Sequence, residues 1–415
     1  MRIVDGVNLH FIKTKKFKSN HLTFRFSGEL DEKGIAKRAL VAQMMATANS
    51  TYPTSQVFRK KLSNLYGASF STHLSRRGRV HILDIDINFV GNSFALNGEN
   101  ILKEIMDFLY EVLYNPLTTI EQYQSKTFDL EKTNLIQYLE TDQEDHFYYS
   151  DLELNKLFYD DVALQVSKYG STHSIEAENS YTAYQEFRRM LSEDKIDIFL
   201  LGNFDDYHML QLVHQFPFEP REKELEFLYH QDYVNVTREK IEQIQANQSI
   251  LELGYYFPRH YGDDSHFALI VFNGLIGAFS HSLLFTNVRE SESLAYNIGS
   301  QFDIFTGMFR VYAGIDKENR GRVMQLITQQ INAVKQGRFS ATLLKQTKNM
   351  LKTNAKLSVD NPKSLIEMEY SNLVMGNQAI TLAEWIERIE KVTKEDILTI
   401  ANQVKLQAVY FLEGV

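Results

Sequence analysis

GLIGAFSHSLLFTNVRESESLAY, Gly274 to Tyr296, is the stretch from which the fold of this chain is read. It closes a long apolar run and ends in Leu294-Ala295-Tyr296, and it carries Arg289 and Tyr296, which taken alone read as an ordinary helix-surface arginine and a core tyrosine. An arginine offers a rigid fork of donors to a carbonyl or carboxylate, and a tyrosine hydroxyl can donate to an oxyanion. The apolar run, His266 to Phe285, is broken by Asn273, Gly274, Gly277, Ser280, His281 and Ser282. A membrane span needs about 20 predominantly apolar residues, so the pattern predicts a buried strand followed by a buried helix.

Outward from this stretch, the chain repeats itself. Leu294 and Gly307 follow Leu65 and Gly78 by the same 229 residues, and each glycine precedes a strand-like run. LEKTN (Leu130 to Asn134) is echoed by MLKTN (Met350 to Asn354). IDIFLLGNF, Ile196 to Phe204, closes the first half, and AVYFLEGV, Ala408 to Val415, closes the second. The common order of these matches points to two copies of one domain.

Periodicity fills in the copies. Leu40, Val41, Met44, Met45 and Ala48 form one stripe of a helix over residues 34–48. A second helix covers 54–66, with Thr54 as N-cap and Gly67 as the stop. Residues 83–89 alternate as a half-buried, antiparallel strand, with Leu83, Ile85, Ile87 and Phe89 inward and Asp84, Asp86 and Asn88 outward. Ile101, Ile105, Leu109 and Val112 mark a helix over 101–114, ended by Asn115-Pro116. Residues 322–336 do the same in the second half, ended by Gly337. This order predicts an α+β fold: two homologous domains, each a mainly antiparallel sheet with helices packed on one face. The expected boundaries are 1–215 for the first domain, 216–243 for a charged linker with two of the six prolines, and 244–415 for the second domain.

Bulk composition narrows the function classes. A chain of 415 residues suits two or three domains. A formal charge of −9 without a Lys/Arg-rich block argues against nucleic-acid binding. The absence of cysteine removes disulfides and thiol nucleophiles and fits a reducing compartment. No apolar signal segment follows Met1, so a soluble, cytoplasmic protein is expected. The histidines do not assemble a metal motif: His208 and His214, like His260 and His266, lie six apart, not one helical turn. The acidic run Glu140 to Asp145 reads as a solvated helix end.

The motif and the two copies together resemble the insulinase/pitrilysin metallopeptidase family, the inverzincins. The matching residues are Ile276-Gly277, Ser282, Leu284-Phe285, Arg289-Glu290 and Leu294-Ala295-Tyr296, followed by FRVYAGID, Phe309 to Asp316. The family's glycine before Leu-Ala-Tyr is Ser293 here. The resemblance implies that Arg289 and Tyr296 bind substrate and support the transition state. In active members the first domain carries H-x-x-E-H on a helix, which binds zinc and supplies a general base. Laid on Gly34-Ile35-Ala36, that motif puts Lys37 and Val41 at the two histidines and Leu40 at the base. Tyr138 falls at the third ligand, aligned through Glu131-Lys132, and Ser71-Thr72 replaces the family's Asn-Ala pair. A lysine cation repels zinc, and Leu40 and Val41 have no lone pair to donate.

The chain therefore reads as an inactive-type member that binds no cofactor itself. The first expectation is a non-zinc subunit of a heteromeric metalloendopeptidase, similar to YfmF-type partner subunits. A zinc-bearing H-x-x-E-H homologue of the YfmH type would supply the metal, and unfolded peptide would be the substrate. The alternative is a catalytically inert peptide-binding or scaffold member of the same family. No further catalytic motif supports an independent enzyme.

Overall fold

The computed structural model describes residues 1–415 except 97, 259–264 and 376–379. By internal packing the chain divides into two units, Met1–Thr141 with Val166–Phe227 and Asp142–Gln165 with Leu228–Val415. The first unit contains β1 (Arg2–Val4), β2 (Val7–Lys13), β3 (Ser19–Glu29), β4 (Ser69–Arg77), β5 (Val80–Val90) and β6 (Lys195–Gly202). They form one sheet in the order β1-β2-β6-β3-β5-β4. Phe24 lies opposite Ile85 and Phe26 opposite Leu83, so their side chains meet on one face of the antiparallel β3–β5 pair.

That face is closed by α1 (Glu32–Thr47), α2 (Ser55–Asn64) and α3 (Ile101–Tyr114), whose apolar stripes join the same core. Each fully buried Leu, Ile or Val contributes about 1.5–3 kcal/mol relative to exposure. Thr54 caps α2, its hydroxyl accepting from the Val57 amide at 3.3 Å. Gly67 follows with φ +72°, a left-handed conformation that stops the helix. The long helix α4 (Ser125–Glu144) follows α3.

The outward face of β5 differs from the half-buried strand expected. Asp84 is buried, and Arg25 of β3, its register partner, grips it with two bonds of 2.7 Å. Asp86 accepts a 2.6 Å bond from Thr23. Alternating charge usually marks a wet face, but here each carboxylate has a partner, which allows burial.

The second unit contains β7 (Arg238–Ile244), β8 (Ser249–Tyr256), β9 (Ala295–Asp303), β10 (Met308–Ile315) and β11 (Lys405–Gly414), in the order β7-β11-β8-β10-β9. This is the order of the first sheet without β1. In each, one parallel pair (β2–β6, β7–β11) borders an otherwise antiparallel sheet. The echoed residues fall on matching elements. Gly78 (φ +52°) and Gly307 (φ +74°) turn the β4–β5 and β9–β10 hairpins, and Met350 to Asn354 sit on a helix as Leu130 to Asn134 do. The fold is α+β with two sheet-bearing halves.

Leu251 and Leu253 of β8 and Val311, Ala313 and Ile315 of β10 face the second core. The opposite face takes α5 (His146–Phe158), a helix from the first half of the sequence. Gly254 admits it, since a Cβ there would lie 3.0 Å from the Phe158 ring. On this face Arg310 binds Glu252 through bonds of 2.7 and 2.5 Å and lies 3.1 Å from Asp151 of α5. Burial pushes the Glu252 carboxyl up to about 7, outweighing its pairing with Arg310.

One element differs in type from the sequence expectation. The run expected to begin as a strand is a helix, α6 (Ser265–Asn273). It is apolar on nearly every side, and periodicity cannot separate a buried strand from a buried helix in such a run. Among the described residues no helix is long and apolar enough to cross a membrane.

Candidate functional site

The Gly274–Tyr296 stretch continues from α6 as two short π-helical turns, Gly274–Ala278 and Phe285–Glu290, and then enters β9. Two glycines let the first turn pack closely. A Cβ on Gly277 would lie 2.6 Å from the Ser300 hydroxyl of β9, and one on Gly274 would lie 2.6 Å from Thr347. Ser282 is fully buried, and its carbonyl accepts from both the amide and hydroxyl of Thr286 at 2.9 Å. Leu284 and Val288 anchor the second turn in the core. The Ser291 amide and hydroxyl close it on the Thr286 carbonyl, at 3.0 and 2.8 Å. The Leu294 amide then returns to the Val288 carbonyl at 3.2 Å, linking the turn to the start of β9. Ser293, where the family pattern has glycine, takes φ +54°. The backbone there keeps the left-handed conformation that glycine adopts without strain.

Arg289 and Tyr296 lie at either end of this link. The Arg289 guanidinium stacks over the Phe285 ring at 4.6 Å, one turn back. Its side chain is 41% exposed and lies 3.8 Å from the Glu290 carboxylate. Stacking fixes the plane of the fork and leaves donors toward solvent. Tyr296, at the start of edge strand β9, is 64% exposed. Its hydroxyl donates to Asp316 at 3.2 Å, and the Asp316 charge holds the phenol above its ordinary range, so it stays a donor. Asp316 was not singled out from sequence. The β9–β10 pairing skips Tyr296, between the Ala295–Ile315 and Asn297–Gly314 pairs, and this irregularity next to Asp316 is not written in the local sequence.

The positions that correspond to a zinc site lie in the first unit. Leu40 and Val41 are 0% exposed and belong to its core. Lys37 is half-buried on the same helix. Tyr138 of α4 is 46% exposed and meets Tyr169 edge-on at 5.6 Å, while Glu131 is buried beside Asn134. An ammonium, two hydrocarbons and an exposed phenol are not a zinc donor set, and the chemistry of these residues does not fit the metal. Among the described residues no three His, Cys, Asp or Glu side chains gather as a metal site would need. His208 meets Asn100 at 2.8 Å, and His260 lies outside the described residues.

This fold, with the Arg/Tyr segment on one half and apolar residues where ligands would stand on the other, defines the class. The chain belongs to the peptidase M16 family, the insulinase-like metallopeptidases. A model of the peptidase M16 inactive domain matches residues 183–351. The "Probable inactive metalloprotease YmfF" of Bacillus subtilis (strain 168) is 30% identical over 414 residues, covering 99% of this chain and 96% of that protein. A conserved protein from Enterococcus faecalis V583 is similar in structure, with a TM-score of 0.96, 37% identity, and coverage of 100% of this chain and 98% of that one. A peptidase M16 inactive domain from Pseudomonas fluorescens shares the fold at a TM-score of 0.79 and 14% identity, covering 99% and 96%. The chain fits a non-catalytic member of a metallopeptidase family.

Proposed function

We propose that this chain is the non-zinc subunit of a heteromeric zinc peptidase of the cytoplasm. A zinc-bearing H-x-x-E-H homologue is its partner, unfolded peptide its substrate, and Arg289 and Tyr296 position the peptide for the partner's metal. The observation that carries the reading is the pairing of exposed functional groups with a buried scaffold. Arg289 presents donors and Tyr296 an exposed phenol to solvent, whereas Ser282, Leu284 and Val288, which set their backbone, are fully buried. A residue kept only for packing has no need of that arrangement. Lys37, Leu40, Val41 and Tyr138 are, on this reading, positions from which the metal function has moved to the partner.

One observation favours the inert-scaffold alternative: the Tyr296 hydroxyl already has an acceptor in Asp316. Mixing the full chain with a zinc-bearing homologue separates the two readings. A complex on gel filtration together with chelator-sensitive peptide cleavage, both absent from either chain alone, supports the subunit. A complex that binds peptide without cleaving it supports the scaffold.

A further inference from the structure

The first unit contains a cavity of about 290 Å³ that the Arg289/Tyr296 reading does not use. Its size lies at the low end of small-molecule pockets, roughly 300–1,000 Å³. Lys37 and Lys223 line it, and so do Glu29 and Asp31, yet among the described residues these four make no ion pair. Charges of both signs that line one cavity without pairing with each other are left available to a ligand that carries both. Asp31 stands at the N-cap of α1 but its carboxylate does not cap the helix, so it remains available.

The wall behind these groups is fixed and polar. Arg38 lines the cavity and is 1% exposed. It donates to Asp194 at 2.5 Å and to the Phe26 carbonyl at 3.0 Å, while its buried Nε has no acceptor. A buried donor without a partner is destabilising, and an acceptor that reached it would relieve that cost. His81 adds no charge: burial, with Arg38 beside it, holds its imidazole well below the ordinary range. Its Nε2 is bound to the Lys168 carbonyl at 2.9 Å.

We infer that this cavity binds a small zwitterion, a free amino acid or dipeptide. Its carboxylate faces Lys37, Lys223 and Arg38, and its ammonium faces Glu29 and Asp31. An inorganic anion would satisfy the cations and leave both carboxylates opposed to it. The site lies in the first unit alone and does not depend on a zinc partner, so its test and that of the proposed function fail independently.

Glycine and glycylglycine titrated calorimetrically into the full chain test this. Saturable binding is expected, with loss of about 10-fold in affinity for Lys37→Gln and for Asp31→Asn, the scale of one charge-assisted bond. Both side chains are partly exposed, so the variants keep the fold. N-acetyl-glycylglycine amide, which carries neither charge, should not bind. The inference is overturned if neither zwitterion binds saturably or if the capped peptide binds equally well. It is also overturned if phosphate binds while Asp31→Asn leaves the affinity for glycylglycine unchanged.

Discussion

Restoring the metal motif to α1 should break the fold before it makes an enzyme. The triple variant Lys37→His, Leu40→Glu, Val41→His replaces two side chains that are 0% exposed. Removing Leu40 and Val41 from the core costs about 1.5–3 kcal/mol each in transfer free energy. The Glu and His that replace them enter the apolar cluster that also holds Phe24, Phe26 and Leu83, where their polar atoms add about 1–3 kcal/mol each unless paired. The sum is about 5–12 kcal/mol, against a total stability of about 5–15 kcal/mol for a typical domain. Lys37→His alone touches a half-buried position and should be nearly silent. Urea unfolding followed by circular dichroism, with and without zinc, reads the effect. The expected result is a triple variant that is unfolded or strongly destabilised, with no rescue by zinc. A triple variant with the parent midpoint and one tightly bound zinc would refute the claim that Leu40 and Val41 serve as core.

Three further outcomes follow from the geometry. Ser293→Gly should raise stability by about 0.5–1 kcal/mol, since relief of the left-handed strain exceeds the added chain entropy; a lower unfolding midpoint would contradict this. Asp316→Asn should return the Tyr296 phenol toward its ordinary value, read as the difference titration against Tyr296→Phe, and an unchanged titration would remove Asp316 as its partner. Glu252 has a folded value near 7, above the ordinary 4.5, so its contribution to stability is complete below about pH 4.5 and is lost as pH rises through 7. Glu252→Gln should flatten that part of the stability–pH profile, and an unaltered profile would assign the dependence elsewhere.

Much of this architecture is legible in the chain. The helices over 34–48, 54–66 and 101–114 carry amphipathic stripes and punctuation such as Thr54, Gly67 and Asn115-Pro116, and the structure places helices there. The repeat is legible because Gly78 and Gly307 must both turn hairpins with positive φ, and the two strand orders match. Two kinds of feature were hidden. The type of α6 was hidden because an all-apolar run has no period to read. The burial of Asp84 was hidden because it depends on Arg25, 59 residues away in sequence. The site divides in the same way. Arg289 and Tyr296 are marked by a contiguous motif, whereas the Asp316 partner and the unpaired charges around Lys37 exist only once strands and helices are assembled.

On the proposed function Arg289 holds peptide for a partner's zinc site, and kcat/KM of the reconstituted complex measures that contribution. A charge-assisted hydrogen bond to peptide contributes about 1.5–3 kcal/mol, whereas the exposed stack on Phe285 contributes about 0.5–1 kcal/mol to the fold. Arg289→Ala should therefore lower peptide cleavage by about 10- to 150-fold while complex formation and the unfolding midpoint stay close to those of the parent. Cleavage at the parent rate by the Arg289→Ala complex would contradict the account.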